Sequence, residues 1–193
     1  ASLEREEVLT VAMEEMGWII PFTSMSIWRR NGSYMVCEGL TGVANAPDYM
    51  GMRMLITGVE RFEQIVEQGR VVYGGLDPDN PVLPGDSEAM SWMGIPMVTQ
   101  GHVTGLMMLL NAAPDFYEQR ADQHVAFAFA SQVTTALANA DLFEQTFART
   151  NELGTVLEAA QATSLSRDIG EVFKVVSELM FSSLEIDEVT IMM

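Results

Sequence analysis

The chain has one cysteine, two histidines and ten basic residues among 193. Each scarcity removes a class of function. A lone thiol, Cys37, allows no disulfide within the chain and no cysteine zinc site. His102 falls in a predicted hairpin turn and His124 on a predicted helix; they share no metal-ligand spacing, so no metal centre is expected. Ten bases stand against 27 acids, a net charge of -17, and such a surface repels phosphate backbones and anionic headgroups. Nucleic-acid binding and direct membrane contact are therefore not expected. No apolar run approaches the ~20 residues of a membrane helix. The opening "ASLEREEVLT" is acidic rather than basic and then apolar, so the expectation is a soluble, cytoplasmic protein.

Motifs of catalysis are scarce as well. "GGLDPDNPVLPG" lacks the lysine and the helix start of a phosphate cradle, and no serine sits in a GxSxG turn. Asp77, Asp79 and Asp86 cluster in one loop, but their spacing does not match a calcium loop, and they read as solvated acids. Cys37 lies in a predicted strand with no cation near it in sequence to lower its pKa, and reads as a buried structural thiol. No catalytic residue is assigned.

Proline and glycine are confined to the first part of the chain. All seven prolines lie between Pro21 and Pro114, and 13 of the 15 glycines lie at or before Gly105. Strands and turns are expected there, and helix beyond. Residues ~3 to 18 read as an amphipathic helix, with Leu9, Ala12, Met13 and Met16 at spacings of three and four. Asn31-Gly32 marks a hairpin between strands at ~25 to 30 and ~33 to 38, because both central turn positions favour positive φ. Residues 39–90 are irregular, with a short helix "VERFEQIVEQG" stopped by Gly69, a short strand "RVVYGGL" and a proline-rich loop. "SWMGIPMVT" and "HVTGLMMLLN" are two strands joined at Gln100-Gly101. Val103, Met107 and Leu109 of the second alternate with Leu106, Met108 and Leu110, so both its faces should be covered. Pro96 must sit where its nitrogen meets no partner. Fifteen methionines read as adaptable core filling.

After Pro114 a helix is predicted, with Asp115 as N-cap and Glu118 completing a capping box. Val133, Ala136, Ala140, Phe143, Phe147, Thr150, Leu153 and Leu157 step by three and four, near the coiled-coil period. The run is one helix of ~45 residues or two meeting near Gly154. An offset of 164 residues aligns Glu7–Arg29 with Glu171–Met193 without a gap. Glu7/Glu171, Val8/Val172, Val11/Val175, Glu14/Glu178, Met16/Met180 and Ile27/Ile191 are identical. Helix matches helix and strand matches strand, and the reading is a tandem repeat of domains in which "EIDEVTIMM" is the second copy's first strand.

The block "SWMGIPMVTQGHVTGLMMLLNAAPDFYEQRADQHVAFAFASQVTTALANADLFEQT" resembles a GAF domain. The resemblance rests on Gly94-Ile95-Pro96, Gly105-Leu106, Phe116, and the helix pattern running from Gln132 through Ala136-Leu137 and Asn139-Ala140 to Leu142-Phe143. It implies an α+β fold: an antiparallel sheet of five or six strands, helices on one face and a loop-covered ligand pocket on the other. A long connecting helix and the truncated start of a second GAF repeat would follow. The implied organisation is a GAF domain over 1–150, then the connecting helix with the entry helix and first strand of an incomplete second domain over 151–193.

The implied function is a non-catalytic sensory domain of a bacterial signalling protein. It would bind a small molecule and signal through the helix to an output such as a histidine kinase or a nucleotide cyclase outside this chain. Candidate pocket residues are Cys37, Tyr49, Tyr73, Asp77, Trp92 and Met108. Ala140, Phe143, Phe147 and Leu157 are candidates for a homodimer interface on the helix. The ligand and any cofactor are left unassigned. Ala112 and Arg120 break the family's cyclic-nucleotide signature, Cys37 is misplaced for a bilin, and one cysteine is too few for the family's sulfoxide reductases. The alternatives are a ligand-free GAF module used in dimerisation and spacing, and a thiol enzyme using Cys37.

Overall fold

The computed structural model describes residues 3–118, 123–165 and 173–179. The chain divides into two compact units, 1–140 and 141–193. The first opens with α1 (Leu3–Ile19). Leu9, Ala12 and Met16 form its buried stripe, followed by Ile20, while Glu4 and Glu6 in the first turn suit the positive end of the helix dipole.

Six strands follow: β1 (Ser24–Asn31), β2 (Tyr34–Thr41), β3 (Arg53–Leu55), β4 (Val72–Gly75), β5 (Ser91–Thr99) and β6 (His102–Asn111). They form one antiparallel sheet in the order β3-β2-β1-β6-β5-β4. Between β3 and β4 lies α2 (Glu60–Gln68). Gly69 ends α2 in the left-handed region at φ 59°, and its N–H donates to Ile65 O at 2.9 Å. That backbone conformation is cheap only without a Cβ.

The two predicted hairpin turns differ in outcome. Gln100 (φ 51°) and Gly101 (φ 79°) both have positive φ between β5 and β6, the pattern of a type I′ turn. In the first hairpin Asn31 instead pairs with Tyr34, so the central residues are Gly32 and Ser33. Only Gly32 (φ 61°) has positive φ there, as in a type II′ turn. The glycine takes the first central position, which moves the turn one residue along from the Asn-Gly expectation.

The sheet separates two apolar layers. Met25, Ile27, Met93, Ile95, Met107 and Leu109 face α1 and the residues of α3 (Gln123–Leu165) up to Leu137. Trp28, Met35, Cys37, Trp92, Leu106 and Met108 face the other way, toward α2 and the segments around it. The alternation expected for β6 is observed from Leu106 to Leu110; Val103 pairs with Val98 beyond a bulge in the ladder and belongs to neither layer. Burying each such side chain contributes roughly 1.5–3 kcal/mol, and a one-residue slip would exchange the layers, so the register is strongly specified. One helix, α2, lies on the cover side with the irregular segments, while α1 and α3 take the opposite face.

Pro96 pairs with Leu106 of β6, but β4 ends where Val72 meets Gly94. On that side of β5 no strand stands opposite Pro96, so its missing donor breaks no ladder bond. Asp115 departs from the capping expectation. Its φ is 54°, whereas an N-cap takes extended backbone, and residues 114–118 form turns rather than helix. The helix α3 runs unbroken through Gly154 to Leu165. In the second unit Phe143 and Phe147 stack with centroids 6.5 Å apart, and both are exposed. Residues 173–179 are helical, while the strand expected in "EIDEVTIMM" lies outside the described residues.

Candidate functional site

A cleft of about 550 Å³ lies between α2 with the turn before it, β4, the loop after β4, and Trp92 of β5. Local sequence explains its walls. The helix α2 puts Phe62 and Ile65 on the sheet, fully buried. Arg61 precedes Ile65 by one helical turn and so shares that inward side. Ile65 packs over Gly94, where an added Cβ would lie 2.1 Å from Ile65 Cδ1. Across from α2, β4 carries Gly74 and Gly75, which keep that wall low.

Arg61 organises the site. Its side chain is 10% exposed, and Nη2 donates to Asp86 Oδ2 at 2.5 Å. The guanidinium carbon lies 5.9 Å from the Trp92 ring centroid, within cation–π reach. Asp86 Oδ2 also accepts the backbone N–H of Val82 (2.9 Å) and of Leu83 (2.7 Å). One carboxylate oxygen thus ties the loop to α2. Asp86 Oδ1 is buried and has no partner among the described residues. Asp86 follows Gly85 (φ 89°), where a Cβ would lie 2.6 Å from Ser24 Oγ; the loop is pressed onto β1 there.

Nε and Nη1 of Arg61, and the indole N–H of Trp92, have no acceptor among the described residues, and both side chains line the cleft. Glu60 and Asp77 contribute exposed carboxylates to the same walls. Glu60 Oε1 accepts from Gln64 Nε2 at 3.1 Å, and Asp77 Oδ1 from the Asp79 N–H at 3.0 Å.

Of the six candidate pocket residues, Tyr73, Asp77 and Trp92 come together on the cleft. Cys37 and Met108 lie in the buried layer beneath the cover, with Tyr49 partly buried against it. The sequence reading missed Arg61, the strongest polar group of the cleft. The signal was present: a basic residue one helical turn before the inward Ile65. The loop acids divide. Asp77 and Asp79 are exposed, as expected, but Asp86 is 2% exposed and ion-paired. Its solvated reading is corrected, because a distant arginine stands where sequence neighbours could not reveal it. No group of three potential metal ligands occurs among the described residues.

Cys37 is 1% exposed, and its thiol donates weakly to Gly39 O at 3.7 Å. Burial pushes the thiol up to about 11; the Gly39 hydrogen bond opposes this and the neighbouring Glu38 charge adds to it. A thiol so placed is a poor nucleophile near neutrality. On the described part of α3, Ala140 is buried in the first unit, while Phe143 and Phe147 are exposed in the second.

This sheet, with two helices on one face and α2 with the irregular segments on the other, defines an α+β domain. The GAF domain family model matches residues 4–137, and the chain belongs to that family. Structural similarity agrees. The bacteriophytochrome RpBphP3 from R. palustris gives a TM-score of 0.69 at 11% identity, covering 94% of this chain and 43% of that one. The GAF domain of an Acinetobacter phosphoenolpyruvate-protein phosphotransferase gives 0.60 at 15% identity, covering 74% and 87%. A type II free methionine-R-sulfoxide reductase from Thermoplasma acidophilum gives 0.57 at 13% identity, covering 70% and 92%. No curated protein matches the chain. GAF domains are commonly sensory or regulatory parts of signalling proteins and are typically non-catalytic. Among the described residues, no helix is long and apolar enough to cross a membrane.

Proposed function

We propose that this chain is a non-catalytic sensory module that takes a small molecule in the cleft and passes the signal along α3. One observation carries the reading: Arg61 is nine-tenths buried, yet keeps unused N–H groups on the wall of a 550 Å³ cleft. Asp86 Oδ1 is the one buried side-chain polar atom without a partner among the described residues, so these N–H groups face the solvent of the cleft, where a bound acceptor takes the place of water. The volume lies in the range of small-molecule sites. Arg61 also joins α2 to the loop through Asp86, so occupancy changes how the cover is held. A ligand that favours one arrangement of the cover biases the domain toward it. The high pKa of Cys37 favours a structural thiol over a thiol enzyme.

The setting belongs to the same proposal: a cytoplasmic bacterial signalling protein with an output domain, such as a histidine kinase or nucleotide cyclase, beyond this chain. The helix at 173–179 supports a second GAF repeat beginning after α3. Native mass spectrometry of freshly purified protein tests the sensor. A stoichiometric small-molecule adduct, lost in Trp92→Ala, is the expected result. An adduct retained by that variant, or protein that is ligand-free and stays so against metabolite extracts, refutes the sensor.

A second reading has its own observation. Leu142, Phe143, Phe147, Leu153 and Val156 are all exposed along α3. So many exposed apolar side chains on one helix, with Phe143 and Phe147 one turn apart, favour a homodimer through this helix, with or without a ligand in the cleft.

A further inference from the structure

The charges of the cleft restrict what fits it. Arg61 is already neutralised by Asp86, so its free N–H edge offers hydrogen bonds without offering net charge. The other ionised groups on the walls, Glu60 and Asp77, are both negative. They belong to a chain of net charge -17. A simple anion seated on Arg61 would therefore face three carboxylates and one guanidinium. A simple cation near Glu60 and Asp77 would leave the donors of Arg61 and Trp92 empty. A molecule with both charges satisfies both ends: its oxyanion takes the Arg61 and Trp92 N–H groups, and its ammonium faces the acidic wall. Each charge-assisted hydrogen bond of this type is worth about tenfold or more in affinity. The exposed Tyr73 supplies apolar surface for a side chain.

We infer that the cleft selects a small zwitterion of the α-amino-acid class, with the carboxylate on Arg61 and the ammonium toward Glu60 and Asp77. This rests on the cleft being a ligand site at all. Arg61 discriminates by hydrogen-bond direction, since with Nη2 held by Asp86 its remaining N–H groups accept an oxyanion only where they point. The acidic wall discriminates by charge.

The test is calorimetric titration of the whole chain with the common L-amino acids, each alone. Every binder is then compared with its deaminated and decarboxylated counterparts; for L-tryptophan these are indole-3-propionate and tryptamine. The expected result is at least one amino acid that binds about tenfold or more tightly than either counterpart, the worth of one charge-assisted hydrogen bond. Glu60→Gln/Asp77→Asn alters exposed residues only and is expected to fold. It should narrow the preference over indole-3-propionate, whereas Arg61→Gln should narrow the preference over tryptamine. Equal binding of a single-charge counterpart overturns the inference, as does unchanged preference in the Glu60→Gln/Asp77→Asn variant. If no amino acid binds while native protein carries another adduct, the zwitterion is refuted and the sensory reading survives. If neither occurs, both fall.

Discussion

Removing Asp86 is the sharpest stability test of the cover. In Asp86→Ala the Arg61 guanidinium stays 10% exposed but loses its counter-charge, and the Val82 and Leu83 N–H groups lose their acceptor. Breaking a buried ion pair from one side costs about 3–5 kcal/mol, because the other charge remains. The first unit spans residues 1–140, and for a domain of that size about 3 kcal/mol corresponds to a fall in Tm of roughly 10 °C. The unpartnered Asp86 Oδ1 means the native pair is not fully satisfied, which places the loss toward the lower end of that range. Urea unfolding of the wild type, Asp86→Ala, Arg61→Met and the double variant measures it. The double variant has no uncompensated cation, so it should be less destabilised than the sum of the singles by about 1–3 kcal/mol. Singles that add within about 0.5 kcal/mol, or an Asp86→Ala loss below about 1 kcal/mol, would refute the buried pair as the tie between α2 and the loop.

Cys37 makes stability depend on pH. Its folded pKa is raised from 9.0 to about 11, so folding favours the neutral thiol. The stabilisation is complete below the unfolded value and is lost as pH rises through the folded one, roughly 3 kcal/mol in all. Chemical denaturation across this window should show a slope that Cys37→Ala lacks; equal slopes would show the thiol to be accessible. Gly42 has φ 76°, and an added Cβ would lie 2.1 Å from the Thr23 carbonyl oxygen, so Gly42→Ala should cost more than about 2 kcal/mol by thermal unfolding. A near-neutral Gly42→Ala would show that the β2 end yields. Phe143→Glu/Phe147→Glu should convert a dimer to a monomer in light scattering, and a dimer that persists rules out this stripe as the interface.

The fold was legible because its strongest signals are local. Leu9, Ala12 and Met16 show their helical period directly, and the alternation of Met107 to Leu110 fixes a strand buried on both faces. Gln100-Gly101 gave its turn for the same reason. The failures mark where distance or competition decides. At Gly32 the glycine takes the turn position that Asn31 was expected to share. At Asp115, a left-handed backbone displaces the cap that Glu118 would have completed. The cleft was half legible. Tyr73, Asp77 and Trp92 lie near one another's strands and loops, so a general plan of the fold locates them. Arg61 and Asp86 are 25 residues apart, and nothing in either neighbourhood announces the other.

The position of β6 has a consequence for motion. It is hydrogen-bonded to β1 on one side and β5 on the other, with Met107, Met108 and Leu109 fully buried. Its amides can exchange with solvent only when the whole domain opens. The strand β4 has a single partner and four residues, and it forms a wall of the cleft. Its amides open locally and far more often. The binding wall is therefore drawn from the part of the sheet with the least protection to lose. Occupancy should register as slowed exchange along β4 while β6 stays unchanged, so that the sheet reads a ligand at its rim and keeps its centre as a fixed reference.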